Sequence, residues 1–180
     1  MNIKYVDLSV SSKDFDKNYA PLLKECFIKG SFIGGGEVVK FEKNFADLCG
    51  VKYAVSMNSG TDALILSLKA LGIKKGDEVI IPAHTFTATA IPFARTGATI
   101  VWADIDPETF VISSESIKKL VNKKTKAIVV VHLYGVMADM IEIMKIAKEH
   151  NILVTEDCAQ SLGATLNGRQ SGTFGDFACY

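Results

Sequence analysis

The chain has 180 residues, 48 % apolar and 22 % charged, with 20 basic side chains against 20 acidic ones. That composition belongs to a globular chain and excludes a disordered, collagen-like or low-complexity one. The balanced charge lacks the basic excess of a nucleic-acid binder, and no apolar run reaches the ~20 residues of a membrane span.

The opening MNIKYVDLSV holds no apolar core and no small-residue cleavage site, so no secretory leader is read there. Residues 1–30 are irregular in pattern except for a short helix over 19–30, with Leu22, Leu23, Cys26 and Phe27 on one side. Three glycines at 34–36 mark a loop. Val38, Phe41, Phe45 and Leu48 then step at helical spacing, and Gly50 is a stop signal. Residues 53–57 form a short apolar run, read as a strand, that Asn58-Ser59-Gly60 breaks.

From there the text is regular. The spacing predicts a helix over 61–71, a turn at Lys75-Gly76-Asp77 and a strand over 78–81 stopped by Pro82. A helix over 87–95 must accommodate Pro92. A strand follows over 99–103, then a loop at 104–107 and a helix over 114–121. Next come a Val-rich strand over 127–131, a helix over 137–150 and a strand over 152–155. Asn167-Gly168 between extended residues signals a hairpin, and 176–180 begins another strand.

Strands and helices alternate, and the strands are continuous apolar runs. Both features predict an α/β fold, mainly a parallel sheet flanked by helices on both faces. The sequence stops on an aromatic with no polar tail, so it reads as cut inside its fold. Cys26, Cys49, Cys158 and Cys179 form no C-x-x-C pair and read as buried, reduced thiols of a cytosolic protein. They share no ligand spacing with His84, His132 or His150, so no metal site is expected.

Ligands of open α/β sheets bind beyond the carboxyl ends of the strands. Four segments are expected there: Asn58-Ser59-Gly60-Thr61-Asp62, His84-Thr85-Phe86, His132-Leu133-Tyr134-Gly135 and Glu156-Asp157-Cys158-Ala159-Gln160. Ser59-Gly60-Thr61 opens a helix with free N–H groups and hydroxyls, which suits either a phosphate or a simple helix cap. It is no P-loop, and the glycines at 34–36 are no dinucleotide fingerprint. Asp157, at a strand's end, needs a cation such as a protonated pyridine nitrogen, or else caps the next turn. Phe86 either stacks on a flat ring or packs in the core. His132 reads as a satisfied buried histidine rather than an acid or base. Gln160 either reaches a ring hydroxyl or caps a turn.

These residues sit in longer matching text. N-S-G-T-D-A-L at 58–64, G-D-E-V-I-I-P-A-H-T-F at 76–86 and G-A-T-I-V-W-A-D-I-D-P-E-T-F at 97–110 are joined by T-K-A-I-V-V-V-H-L-Y-G at 125–135, E-D-C-A-Q-S-L-G-A at 156–164 and G-T-F-G-D-F-A-C-Y at 172–180. Together, from about Phe41 to Tyr180, the run resembles the DegT/DnrJ/StrS family of pyridoxal phosphate-dependent sugar aminotransferases. The resemblance implies the aspartate aminotransferase-like large domain, PLP fold type I. Residues 1–50 are then an N-terminal helical segment and glycine loop. Residues 51–180 are an incomplete cofactor-binding domain, and the small C-terminal domain is absent.

The resemblance also implies pyridoxal 5′-phosphate or pyridoxamine 5′-phosphate as cofactor. Gly60 and Thr61, with Ser59 nearby, would hold its phosphate. Phe86 would stack on its ring, Asp157 would pair with the ring nitrogen, and Gln160 would contact the 3-hydroxyl. In the family the Schiff-base lysine follows a serine-phenylalanine pair beyond the position of Tyr180, so no catalytic residue is assigned within these residues. The implied reaction moves an amino group from an amino acid, commonly glutamate, to a keto sugar, usually nucleotide-linked. The implied protein is a cytoplasmic homodimer with no nucleic-acid or membrane partner, and the 180 residues alone are expected to be inactive. Two alternatives stand beside it: a sugar dehydratase of the same family, in which histidine replaces the lysine, and a non-catalytic cofactor-binding fragment.

Overall fold

The computed structural model describes residues 7–180. The reading of no leader rests partly on residues 1–6, which lie outside them. The chain divides into two compact units, Met1–Phe45 and Ala46–Tyr180. Helices α1 (Ser12–Asn18) and α2 (Ala20–Lys29) belong to the first, and α3 (Gly36–Cys49) begins in it. The irregular pattern of 7–18 conceals α1. Its signal is the Ser11-x-x-Asp14 pair: the Ser11 hydroxyl accepts the Asp14 N–H at 3.2 Å and donates to the Asp14 carboxylate. Helix α2 ends where predicted, on left-handed Gly30 (φ 62°). Its expected apolar side is not buried: Leu22, Leu23 and Phe27 are exposed and Cys26 is half-buried.

The second unit carries α4 (Gly60–Leu71), β1 (Glu78–Pro82), α5 (Thr87–Arg95), β2 (Thr99–Ala103), α6 (Ser114–Leu120) and β3 (Thr125–Val131). After a 3-10 turn (Leu133–Gly135) follow α7 (Met140–His150), β4 (Leu153–Asp157), the two-stranded β5 (Thr165–Leu166) and β6 (Arg169–Gln170), and β7 (Phe177–Cys179). The main sheet runs β2-β1-β3-β4-β7, and every neighbouring pair is parallel.

Successive strand side chains point to opposite faces, and here both faces are covered. Val79, Ile81, Ala127 and Val129 pack with Leu68 of α4 and Phe93 of α5. Ile80, Ile128, Val130 and Val154 pack with Ile117 of α6 and Met140 and Ile143 of α7. This is why the strands read as unbroken apolar runs.

Three local expectations are corrected. Residues 53–57 form no strand; Tyr53 and Val55 are exposed, and no ladder partner pairs them. Pro82 does not stop β1 but ends it from within. The ladder to β3 spans only Glu78–Ile80, so the missing N–H of Pro82 is not needed there. Helix α7 starts at Met140 rather than 137, because the Asp139 carboxylate accepts the Glu142 N–H at 3.2 Å and fixes the cap. The hairpin is where Asn167-Gly168 predicts it. Both residues have positive φ, 53° and 77°, as a type I′ turn requires.

Gly175 has a different constraint. A Cβ there would lie 2.6 Å from the Val154 carbonyl oxygen, so the segment entering β7 would have to move off β4. Gly175→Ala is expected to lower unfolding stability by ~2 kcal/mol. A fall in the urea midpoint at unchanged slope checks this, and an unchanged midpoint contradicts it.

Candidate active site

The carboxyl ends of β1, β3 and β4 and the start of α4 meet around one cavity of about 260 Å³. Gly60, Thr61, Phe86, Asp157 and Gln160 all line it, although they are far apart in sequence. Ser59 is not among the lining residues. It is the cap of α4: its hydroxyl accepts the Asp62 N–H at 3.1 Å and donates to the Asp62 carboxylate at 2.9 Å. The cap reading therefore accounts for Ser59, while Gly60 and Thr61 present the first-turn N–H groups, which have no acceptor within the helix. The partial positive charge of a helix start favours an anion at that point.

Asp157 is the last residue of β4 and only 7 % exposed. Its Oδ2 accepts the Thr89 hydroxyl at 2.8 Å and its Oδ1 accepts the Ala159 N–H at 3.2 Å. Among the described residues no basic side chain pairs with it. A buried carboxylate in that position calls for a cation, and a protonated ring nitrogen fits.

Phe86 is 75 % exposed, directly before α5, so the core reading fails and its ring is free to cover a flat ligand. The Tyr134 N–H donates to the Gln160 Oε1 at 2.8 Å. The oxygen of that side chain is thereby engaged, and its NH₂ remains a donor. Free first-turn N–H groups, an exposed aromatic ring, a carboxylate with no basic partner among the described residues and an amide donor thus share one cleft.

Sequence reasoning missed Thr89 and Glu156. Glu156 is fully buried. Its Oε1 accepts N–H groups of Phe174 (2.7 Å) and Gly175 (2.6 Å). Its Oε2 accepts the Gly172 N–H and meets His132 Nε2, both at 2.9 Å. Burial acts to raise the Glu156 pKa, but the His132 hydrogen bond and the Gly175 and Gly172 N–H groups outweigh it and hold the carboxyl below its ordinary value. The Ala138 N–H donates to His132 Nδ1 at 3.2 Å, so the ring proton sits on Nε2 and points at Glu156. His132 is thus the satisfied buried histidine. The readable signal was two consecutive carboxylates ending an apolar strand: they face opposite sides of the sheet, so only one can reach the cavity.

His132, Glu156 and Cys158 bring their ligand atoms within 4.8 Å of one another, although their sequence spacing shows nothing of the kind. Every acceptor position of Glu156 is filled by a hydrogen, and burial pushes the Cys158 thiol up to about 12. The cluster is a hydrogen-bond network. Cys179, also buried, is pushed up to about 11 by its burial.

The sequence profile of the DegT/DnrJ/EryC1/StrS aminotransferase family matches residues 13–180. The chain is 44 % identical to the GDP-perosamine synthase of Caulobacter vibrioides over 174 residues, 96 % of this chain and 47 % of that protein. It is 41 % identical over 176 residues to the dTDP-3-amino-3,6-dideoxy-alpha-D-galactopyranose transaminase of Aneurinibacillus thermoaerophilus, covering 98 % of this chain and 48 % of that one. The chain thus spans about half the length of these curated relatives.

Among solved structures, an aminotransferase from Psychrobacter cryohalolentis superimposes with TM-score 0.88 at 39 % identity, over 95 % of this chain and 42 % of that one. The E. coli GDP-4-keto-6-deoxy-D-mannose-3-dehydratase with bound hydrated PLP gives 0.87 at 34 % identity, over 97 % and 45 %.

Proposed function

We propose, starting from the fact that this chain belongs to the DegT/DnrJ/EryC1/StrS aminotransferase family of PLP-dependent enzymes, that its protein aminates a nucleotide-linked keto sugar. The amino group comes from an amino acid donor, glutamate, and the protein acts as a cytoplasmic homodimer. The observation that carries this reading is Asp157: a buried carboxylate without a basic partner among the described residues, at the floor of a cleft bounded by a helix start and an exposed aromatic ring.

When bound, the cofactor supplies an electron sink and carries the amino group between two half-reactions. The chain's own residues bind and orient it. Gly60 and Thr61 donate backbone N–H groups to the phosphate, with Ser59 holding the helix start in place. Phe86 covers one ring face and excludes water from it. Asp157 would hold a proton on the ring nitrogen. Gln160 donates its amide to the 3-hydroxyl oxygen. Residues 51–180 form the cofactor-binding part, preceded by the segment 1–50. No lysine of these residues is assigned the covalent role.

The test, made on a protein of its relatives' full length that carries this segment, is titration with pyridoxamine phosphate, followed by supply of a nucleotide-linked keto sugar. Tight, saturable binding and a new sugar amine are expected. Phe86→Ala is expected to weaken binding ~10-fold, by lost ring contact. Binding that ignores Phe86, or no amine formed, overturns the reading. A second reading, a dehydratase, is favoured by the 34 % identity to the E. coli enzyme; it predicts loss of water from the keto sugar with no gain of nitrogen.

A further inference from the structure

Resting on the cofactor reading above, we propose that Thr89, backed by Thr85, is a positioning residue: a two-hydroxyl relay that holds the Asp157 carboxylate in one orientation, aimed at the ring nitrogen. Thr89 sits in the first turn of α5 and is 2 % exposed. Its hydroxyl is 2.8 Å from Asp157 Oδ2 and 2.9 Å from the Thr85 hydroxyl. An ionised carboxylate only accepts, so the single Thr89 proton goes to Asp157. Thr85 must then donate to the Thr89 oxygen, which fixes the direction of the chain: Thr85 O–H to Thr89 O–H to Asp157.

The direction has a consequence. A hydroxyl already accepting a hydrogen bond becomes a better donor, so the Thr85 contact strengthens the bond from Thr89 to Asp157. Thr89 engages Oδ2 and the Ala159 N–H engages Oδ1, so the carboxylate cannot rotate freely, yet each oxygen keeps a further acceptor position. Removing the relay leaves a buried carboxylate with one donor. Such a group is free to turn, and it meets its partner less squarely. The relay therefore sets the direction in which the carboxylate meets the ring nitrogen.

The test uses the full chain, its variants Thr89→Val, Thr89→Ser, Thr85→Val and Asp157→Asn, and pyridoxamine phosphate as probe, which needs no lysine to bind. Affinity and the absorption band of the bound probe, which reports ring-nitrogen protonation, are both read. Thr89→Val is expected to weaken binding ~10-fold and shift the band toward that seen in Asp157→Asn. Thr89→Ser restores both, and Thr85→Val moves both in the same direction by less. A purely structural threonine would alter thermal stability and leave the band in place. If Asp157→Asn changes both readouts but neither the Thr89 nor the Thr85 variants shift the band, the relay is overturned and the cofactor reading stands. If the unsubstituted chain does not bind the probe, or Asp157→Asn binds it equally well, both are overturned.

Discussion

Asp157→Asn is expected to weaken pyridoxamine phosphate binding ~100-fold, about 3 kcal/mol, while the empty protein stays as stable or gains up to ~1 kcal/mol. The two effects have opposite signs for one reason. In the empty cleft the Asp157 carboxylate is buried and accepts only two hydrogen bonds, from Thr89 and Ala159, with no ion pair among the described residues. Removing its charge relieves a desolvation cost. On the proposed reading, the ring cation of the loaded cleft would match that charge, and removing it would leave the cation uncompensated. Isothermal titration and urea unfolding of the same variant check the pair of signs. A variant that loses stability without losing affinity would make Asp157 a structural residue.

Glu156→Gln is expected to do the reverse, lowering unfolding stability by ~3–5 kcal/mol. Four donors converge on Glu156: the N–H groups of Gly172, Phe174 and Gly175, and His132 Nε2. A carboxamide has one oxygen, so its NH₂ would face two of those donors in a site closed to water. The pH dependence follows from the lowered pKa. A carboxyl whose folded pKa lies below its unfolded value adds stability that is complete above the unfolded value, ~4.3. That contribution fades as pH falls through the folded value. The gap in urea midpoint between the protein and Glu156→Gln should therefore be full at neutral pH and narrow in acid below ~4. A gap below 1 kcal/mol at neutral pH, or one that widens in acid, would contradict this network.

Most of the sheet was legible because its strands obey a strong pattern. Val-rich runs closed by turns must be buried on both faces, and the helices between them have clear leucine and isoleucine spacing. The failures have particular causes. Residues 53–57 look like a strand by composition, but a strand needs a ladder partner, which composition does not encode. Helix α1 has no apolar face to reveal it and is marked only by its Ser11–Asp14 cap. In the site, Gly60, Thr61, Phe86, Asp157 and Gln160 were legible because segments at the carboxyl ends of strands share an edge. Thr89 was not. It lies three residues into a helix, and only the fold's placing of the start of α5 beside the carboxyl end of β4 makes it a neighbour of Asp157, 68 positions away. Glu156 was hidden for a similar reason, since its donors come from Gly172–Gly175, an irregular stretch with no periodicity to read.

The clamp on Glu156 also bears on how the molecule is made. Parallel strands gain nothing until a long connection has closed, so such sheets assemble late. Strand β4 carries a carboxylate whose three backbone donors lie 16 to 19 residues further along. During synthesis on a ribosome, β4 emerges before its counterparts exist, and burying it then would strand the charge. Docking of β4 is therefore favoured once Gly172–Gly175 have been made, which couples β4 to β7. A nascent chain halted between residues 157 and 172 would expose β3 to the wrong neighbour, which makes that interval the window in which a chaperone has most to protect.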